Sequence, residues 1–282
     1  MDFKSKMGSM AVAGALVFCL SPAKMVAQDD PPPAWKDVAE LTLVVTAGNA
    51  SSSTLGLKNT LERDWGRTAL KFSMGAVRTE SGVTTRTATG TPENFSISET
   101  TDSEVTAENY FFKSRLDRSL GGASFMYAGA DWDRNTFAGV DNRYGFVSGA
   151  GRTWFDDETR KLKTDVGVTY TIQDDVVDNP DSDDSFLGLR GSYDFLKKLT
   201  ETTDLGSVLV VDQNLETTED LRADWTNSLV VAMSDRLALK TSLQLLFDND
   251  PALTAVPLGD TEVLTPLGKV DTVFTVAIVA NF

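Results

Sequence analysis

The sequence predicts an all-β protein: a single antiparallel transmembrane β-barrel of about 12 strands, with short turns at one end and longer loops at the other. Three observations favour this fold class. Long segments alternate between apolar and polar residues, their connections alternate between short and long, and the last strand ends on an aromatic residue. Because successive side chains of a strand point to opposite faces, each such segment has one apolar and one polar face.

The alternating segments are long enough to cross a membrane. Strands are predicted near 36–47, 52–62, 66–77, 104–117, 121–132, 142–154, 160–173, 185–196, 201–212, 220–232, 236–247 and 270–282. A tilted strand needs about 9–11 residues to cross a bilayer, whereas strands of soluble sandwiches have mostly about five or six. The length therefore favours a membrane barrel, and a soluble periplasmic binding barrel is the less favoured alternative.

The connections between these segments differ in length according to their order. Those after even-numbered strands are tight, whereas three after odd-numbered strands span 78–103, 173–184 and 248–269. Outer-membrane barrels have short periplasmic turns and longer outer loops, and an even number of strands returns both termini to the periplasm. The pattern predicts this arrangement.

The N-terminus has the layout of a secretory signal peptide. Lys4 and Lys6 precede the apolar run 10–20, and a small residue, Ala27, precedes the predicted cleavage site. Residues 1–27 are therefore predicted to be a signal peptide, 28–34 a Pro-rich periplasmic lead-in and 35–282 the barrel. Cys19 lies inside the signal, and the bulky Phe18 before it disfavours lipidation as the alternative. The predicted location is the bacterial outer membrane.

The C-terminal strand ends the chain without a polar tail. One face of this strand carries Phe274, Val276, Ile278, Ala280 and Phe282. In a closed barrel the last strand is paired on both sides, and an aromatic residue at its end suits the membrane interface. This apolar row resembles the C-terminal signal of bacterial outer-membrane proteins, which implies that lipid and the barrel-insertion machinery are partners. The alternative is a core strand of a soluble domain.

Composition excludes several functions. The net charge is −15, so nucleic acid is not a predicted partner, because its phosphates repel such a chain. Histidine is absent, which removes Ser-His-Asp triads and histidine metal sites. An interior carboxylate pair such as Asp165 and Glu40 is the remaining catalytic alternative. We predict no enzyme activity and no cofactor.

Two acidic segments have the oxygen ligands that hard cations prefer. The predicted outer loop after residue 173 contains Asp174, Asp175, Asp178, Asp181, Asp183 and Asp184. Asp131, Asp133 and Asn135 have the spacing that begins a calcium loop, but Thr136 stands where that loop needs glycine. A solvated acidic loop is the favoured interpretation over a metal site. Divalent cations bridging its carboxylates and lipid phosphates are an expected partner.

The polar faces of the strands are expected to line the interior. The candidate lumen-facing residues are Lys58, Lys163, Asp165, Arg190, Asp194, Arg222, Asp224, Lys240 and Asp271. Their charges have both signs and are expected to pair across the lumen. Twelve strands lie between the filled eight-stranded barrels and the open porins of about sixteen. Two functions stay open: a narrow channel for ions or small solutes, and a non-conducting structural or stress-response barrel.

Three segments carry a resemblance to a known family. They are "WKDVAELTLVVTAGNASSSTLGL" (35–57), "DRNTFAGVDNRYGFVSGAGRTWF" (133–155) and the terminal strand. Together they resemble the salt-induced outer membrane protein family, through Trp35, Gly48-Asn49 and the motif that leads to Gly149 and Gly151. The resemblance implies an outer-membrane barrel with a link to osmotic or salt stress, and it supplies no catalytic residues.

Overall fold

The structure is a computed structural model that describes residues 35–46, 51–91, 94–179, 184–258 and 261–282. The predicted signal peptide (1–27) and lead-in (28–34) lie outside these ranges. Within them, no helix has both the length and the apolar character needed to cross a membrane.

The described chain is almost entirely β-structure. Its strands are β1 (Lys36–Thr46), β2 (Ser51–Asp64), β3 (Thr68–Thr91), β4 (Asn94–Gly121), β5 (Ser124–Asn135), β6 (Val140–Asp156), β7 (Arg160–Asp175), β8 (Ser185–Lys198), β9 (Thr203–Asn214), β10 (Leu221–Ala232), β11 (Leu237–Asp248), β12 (Leu253–Leu258), β13 (Thr261–Pro266) and β14 (Val270–Asn281). One 3₁₀ turn, Thr136–Ala138, precedes β6.

Twelve of these strands close into an antiparallel barrel in the order β1-β14-β11-β10-β9-β8-β7-β6-β5-β4-β3-β2. The barrel closes where Leu41 of β1 pairs with Ile278 of β14. The all-β prediction with about twelve antiparallel strands is thus confirmed, and each predicted strand overlaps one strand of the barrel. The terminal strand is hydrogen-bonded on both sides, by β1 and β11.

The two ends of the barrel differ. At one end, which also holds Trp35 and Phe282, the strands are joined by connections of two to four residues: 65–67, 122–123, 157–159, 199–202 and 233–236. We call this the turn end. The opposite end, the loop end, carries the connections after β1, β3, β5, β7, β9 and β11, and those after the last three (176–184, 215–220 and 249–269) are the longest of the barrel.

Two of the predicted loops are instead partly strands. Segment 78–103 continues β3 and β4 as a hairpin whose pairing reaches Thr91 and Asn94. β2 begins at Ser51, which pairs with Gly82 of β3. Beyond Gly82, the described pairing of β3 is therefore with β4 alone. This part is rich in threonine, which favours extended backbone, but it lacks an apolar face, so the alternation did not predict it. Segment 248–269 likewise contains the β12–β13 hairpin, outside the barrel wall.

The apolar side chains form the outer surface of the wall. Val166 and Phe274 are each 69% exposed, and both lie on the apolar faces that the sequence predicted. A soluble barrel turns this face inward, whereas a membrane barrel turns it toward lipid. The barrel therefore has its apolar residues on the outside of the wall, as a membrane barrel does.

Candidate functional site in the barrel interior

Ion pairs between strands that are not neighbours identify the interior. β5 and β6 separate β4 from β7 in the wall, yet Arg115 Nη2 on β4 donates to Asp165 Oδ2 on β7 at 2.8 Å. Arg190 Nη1 on β8 lies 3.5 Å from Asp131 Oδ1 on β5. Such contacts cross the inside of a closed wall. Because side chains alternate along each strand, they also fix which positions face inward.

Asp165 is the centre of an interior network on the strands β4, β7 and β8. It is 7% exposed and accepts a second hydrogen bond from Ser192 Oγ at 2.8 Å. Arg115 Nε also donates to Asp117 Oδ1 at 2.7 Å, and Lys163 Nζ lies 3.7 Å from Asp117 Oδ2. Two cations and two carboxylates thus compensate one another, as groups removed from bulk water require.

Two aromatic rings lie between this network and the wall. Phe125 and Tyr127 are 6% and 3% exposed, and Arg115 Cζ lies 4.0 Å from the centroid of the Tyr127 ring. Glycines leave the space for these rings. A Cβ atom on Gly149 would lie 2.9 Å from Tyr127 Cε1, and one on Gly151 would lie 2.3 Å from Phe125 Cζ. The glycines of β6 therefore allow the two rings to lie close to this strand.

Arg190 joins three strands of the same half of the barrel. Its Nε donates to Asp212 Oδ1 at 2.7 Å and its Nη2 to Asp212 Oδ2 at 3.1 Å. This two-bond geometry is the strong form of an arginine–carboxylate pair. Gly145 leaves room for the carboxylate of Asp131, because a Cβ there would lie 2.5 Å from Asp131 Oδ2. We call the inward face of β4–β8, with Arg115, Phe125, Tyr127, Asp165 and Arg190, the packed side.

The rest of the interior is different. Four inward valines on β1, β3, β9 and β14 remain accessible: Val44 at 43%, Val77 at 36%, Val208 at 39% and Val273 at 40%. We call the inward face of β9–β11, β14 and β1–β3, marked by these valines, the open side. One ion-pair group crosses it near the turn end. Lys240 Nζ lies 2.9 Å from Glu40 Oε2, and Lys58 Nζ lies 3.7 Å from Glu40 Oε1.

An acidic cavity of about 260 Å³ lies at the loop end. Its charged lining residues are Asp174, Asp175, Asp178, Asp184, Asp220, Arg222, Asp248 and Asp250. The segment after β11 covers part of this mouth, since Pro251 and Ala252 also line the cavity. Ala252 packs against Gly139 of the β5–β6 connection so closely that a Cβ on Gly139 would lie 2.4 Å from Ala252 Cβ. The φ of Gly139 is +78°, a second reason for glycine there.

The structure brings most of the predicted lumen residues into polar contacts. Besides Lys58, Lys163, Asp165, Arg190 and Lys240, these are Arg222, whose Nη1 donates to Gln173 Oε1 at 3.3 Å, and Asp224, which accepts from Gln244 at 2.9 Å. Asp194 and Asp271 are exposed and form no ion pair with a described residue.

The predicted acidic loop and terminal strand have these positions. Asp174, Asp175, Asp178 and Asp184 line the cavity, whereas Asp181 and Asp183 lie outside the described residues. No group of three or more acidic side chains in the described ranges is arranged to hold a metal ion. Phe274, Val276, Ile278 and Phe282 all lie exposed on the outer face of β14.

Sequence reasoning missed four members of the interior networks: Arg115, Asp117, Asp131 and Asp212. The signal for the first two was present, because Lys113, Arg115 and Asp117 recur at every second position of β4. The spacing of Asp131 and Asp133, which matched the start of a calcium loop, is the two-residue period of β5. Both side chains belong to a strand.

These features define a closed β-barrel with an apolar outer surface and an ion-paired interior. Residues 39–282 match a family described as "Protein of unknown function, DUF481", and the chain belongs to this family. That description carries no role in salt stress, so the association implied by the resemblance stays a prediction. No curated protein matches the chain.

Several solved structures are similar in fold. An outer membrane channel from Pseudomonas putida F1 has 12% identity and a TM-score of 0.45, with 93% of this chain and 100% of that chain covered. The NanC porin has 9% identity and a TM-score of 0.46, with coverage of 88% and 98%. An anion-selective porin from Comamonas acidovorans has 12% identity and a TM-score of 0.39, with coverage of 89% and 100%.

Proposed function

We propose that the chain is a bacterial outer-membrane barrel that conducts ions or small solutes through a narrow passage along its open side. The accessibility of the inward valines carries this proposal. An apolar side chain that points into a filled barrel is buried, as Phe125 and Tyr127 are on the packed side. Val208, by contrast, points inward and is accessible, which supports a water-filled passage next to β9.

The outer surface supports membrane placement. Barrel strands of 11 or more residues exceed the length of about 9–11 residues needed to cross a bilayer. Their outward positions carry apolar side chains, and closure leaves no edge whose backbone groups would face lipid. The turn end would lie in the periplasm, because it carries the short connections together with the start of the first barrel strand and the end of the last one.

The acidic cavity supports a preference for cations. Seven aspartates and one arginine line it at the loop end. A cleft lined by one sign of charge raises the local concentration of the opposite ion. The selectivity expected of this mouth is therefore for cations over anions.

Recording the folded protein in planar bilayers tests the proposal. We expect unit conductance steps and, across a salt gradient, a reversal potential displaced toward the cation equilibrium. Folding is checked beforehand by heat-modifiable migration. A folded barrel without unit steps would instead be the non-conducting structural barrel. Release by osmotic shock, without detergent, would contradict membrane placement and with it both functions.

A further inference from the structure

The outer surface of the turn end holds an arginine in contact with two indole rings. Arg63 lies near the end of β2, Trp65 in the following turn and Trp35 just before β1. Arg63 Cζ lies 5.3 Å from the centroid of Trp35 and 5.1 Å from that of Trp65. The two rings are 6.4 Å apart and nearly perpendicular, at 77°. Contact with two rings at once restrains the guanidinium.

The alternation of β2 places Arg63 on the lipid-facing side. Leu55 and Leu57 are accessible on the outer surface. Arg63 lies an even number of residues after them in the same strand and therefore points to the same face. Trp35 and Trp65 are each 44% exposed. Partly exposed indoles at the end of an apolar wall occupy the level of the lipid headgroups. The guanidinium therefore lies where headgroup phosphates are found.

The charge of Arg63 is not neutralised by the neighbouring carboxylates. Asp64 accepts from Gly66 N at 2.6 Å, Glu62 pairs with Lys71 at 2.7 Å, and Asp37 accepts from Asn59 at 2.6 Å. Among the described residues Arg63 has no ion pair, and its Nε is buried with no hydrogen-bond partner. An oriented arginine without an anion is suited to an external one. The planar fork of guanidinium matches a phosphate.

A second arginine of the turn end has a related environment. Arg152 Cζ lies 4.9 Å from the centroid of Trp154, on the outer face of β6. Trp154 is held in place by its own hydrogen bond, from Nε1 to Thr164 Oγ1 at 2.8 Å. Arginine stacked on tryptophan thus recurs four strands away around the same rim.

We propose that Trp35, Arg63 and Trp65 form a binding site for the phosphodiester headgroup of a phospholipid in the periplasmic leaflet. The guanidinium contacts the phosphate, the two indoles hold the guanidinium in place, and the acyl chains lie along Leu57 and Leu55. The site rests on the proposed membrane placement and is independent of conduction. A barrel that binds phospholipid without conducting would leave this proposal intact and overturn the channel.

Native mass spectrometry of the purified chain in a non-ionic detergent tests the site. The probes are phosphatidylglycerol, diacylglycerol with the same acyl chains, and inorganic phosphate. We expect wild-type protein to bind phosphatidylglycerol more tightly than diacylglycerol, and Arg63→Gln to weaken the binding about tenfold. Arg236→Gln, which removes an exposed charge from another turn of the same end, is the control and should bind as wild type does.

Four further outcomes decide the proposal. Trp65→Leu keeps the charge of Arg63 and should also weaken binding. This result would distinguish a guanidinium held by the indoles from electrostatic attraction of the phosphate alone. Each variant is first shown to fold by heat-modifiable migration. Unchanged phosphatidylglycerol affinity in Arg63→Gln, or an equal loss in Arg236→Gln, would overturn the site. Displacement of the lipid by inorganic phosphate at the same concentration would show a free-phosphate site and would also overturn it.

Discussion

The packed side and the open side are built from the same period-two strands, yet their interiors differ. On the packed side, long charged side chains reach across the barrel and cover two buried aromatic rings, as Arg115 and Asp165 do. On the open side, Ala238, Ala277 and Val279 are buried around the Lys240–Glu40 group, but inward valines elsewhere remain accessible, with Val208 at 39%. Residue size on the inward face decides whether a barrel of this strand number is filled. One half stabilises the wall, and the other leaves space.

The largest effect is expected where the packed side loses a buried charge. Asp165→Ala leaves Arg115 without one of its two carboxylates and Ser192 without its acceptor. Breaking a buried ion pair on one side costs about 3–5 kcal/mol. We expect the temperature at which heat converts the folded band to the unfolded band to fall strongly. The matched change on the open side is Asp271→Ala, which removes an exposed carboxylate without an ion pair to a described residue and should shift that temperature little. Equal shifts would contradict the division.

A charge on the outer face comes next in size. Leu243→Arg places a charge in lipid and should cost about 2–4 kcal/mol if it lies near the bilayer centre. Lys240→Gln changes the inward face of the same strand, and Glu40 keeps Lys58 at 3.7 Å. The yield of folded barrel in the outer-membrane fraction should therefore fall for the first variant and not for the second. Similar yields for both would refute the facing of β11.

Steric crowding of the packed side should have a smaller cost. A Cβ on Gly149 would lie 2.1 Å from Val166 O and 2.9 Å from Tyr127 Cε1. Overpacking of this kind typically costs about 1–3 kcal/mol, so Gly149→Ala should lower resistance to denaturant. The control is Gly191→Ala, where a Cβ would meet nothing within 4 Å. A control as unstable as Gly149→Ala would mean that backbone freedom, and not close contact with Val166 and Tyr127, explains these glycines.

The smallest effect is expected outside both sides, in the turn after β6. Thr159 and Arg160 donate side-chain hydrogen bonds to Asp157 and lower its pKa from 3.8 to about 2. A lowered pKa in the folded state contributes stability above the unfolded pKa, and this is lost as the pH falls from about 4 to about 2. Asp157→Asn should remove that small pH dependence in denaturant titrations. An unchanged pH profile would mean that the turn does not hold Asp157 charged.

The sequence predicted the wall better than the interior contacts. The facing of β7 followed from Val166 and Val168 alternating with Asp165, because burial imposes the same period on every residue of a strand. The partner of Asp165 could not be predicted, since Arg115 lies fifty positions earlier and meets it only through barrel closure. The β3–β4 extension was missed because its threonines carry no apolar face. The position of Pro251 and Ala252 over the acidic cavity could not be predicted either. It depends on contact between Ala252 and Gly139, which are far apart in sequence.

The most direct test of the open side is a single thiol at Val208. Cys19 lies in the predicted signal peptide, so Val208→Cys would place a lone cysteine in the mature barrel. We predict that a water-soluble, positively charged methanethiosulfonate reagent lowers the unit conductance of Val208→Cys in planar bilayers and has no effect on Leu209→Cys, which faces lipid. Unit conductance that is unchanged after complete labelling of Val208→Cys, confirmed by mass, would contradict the account.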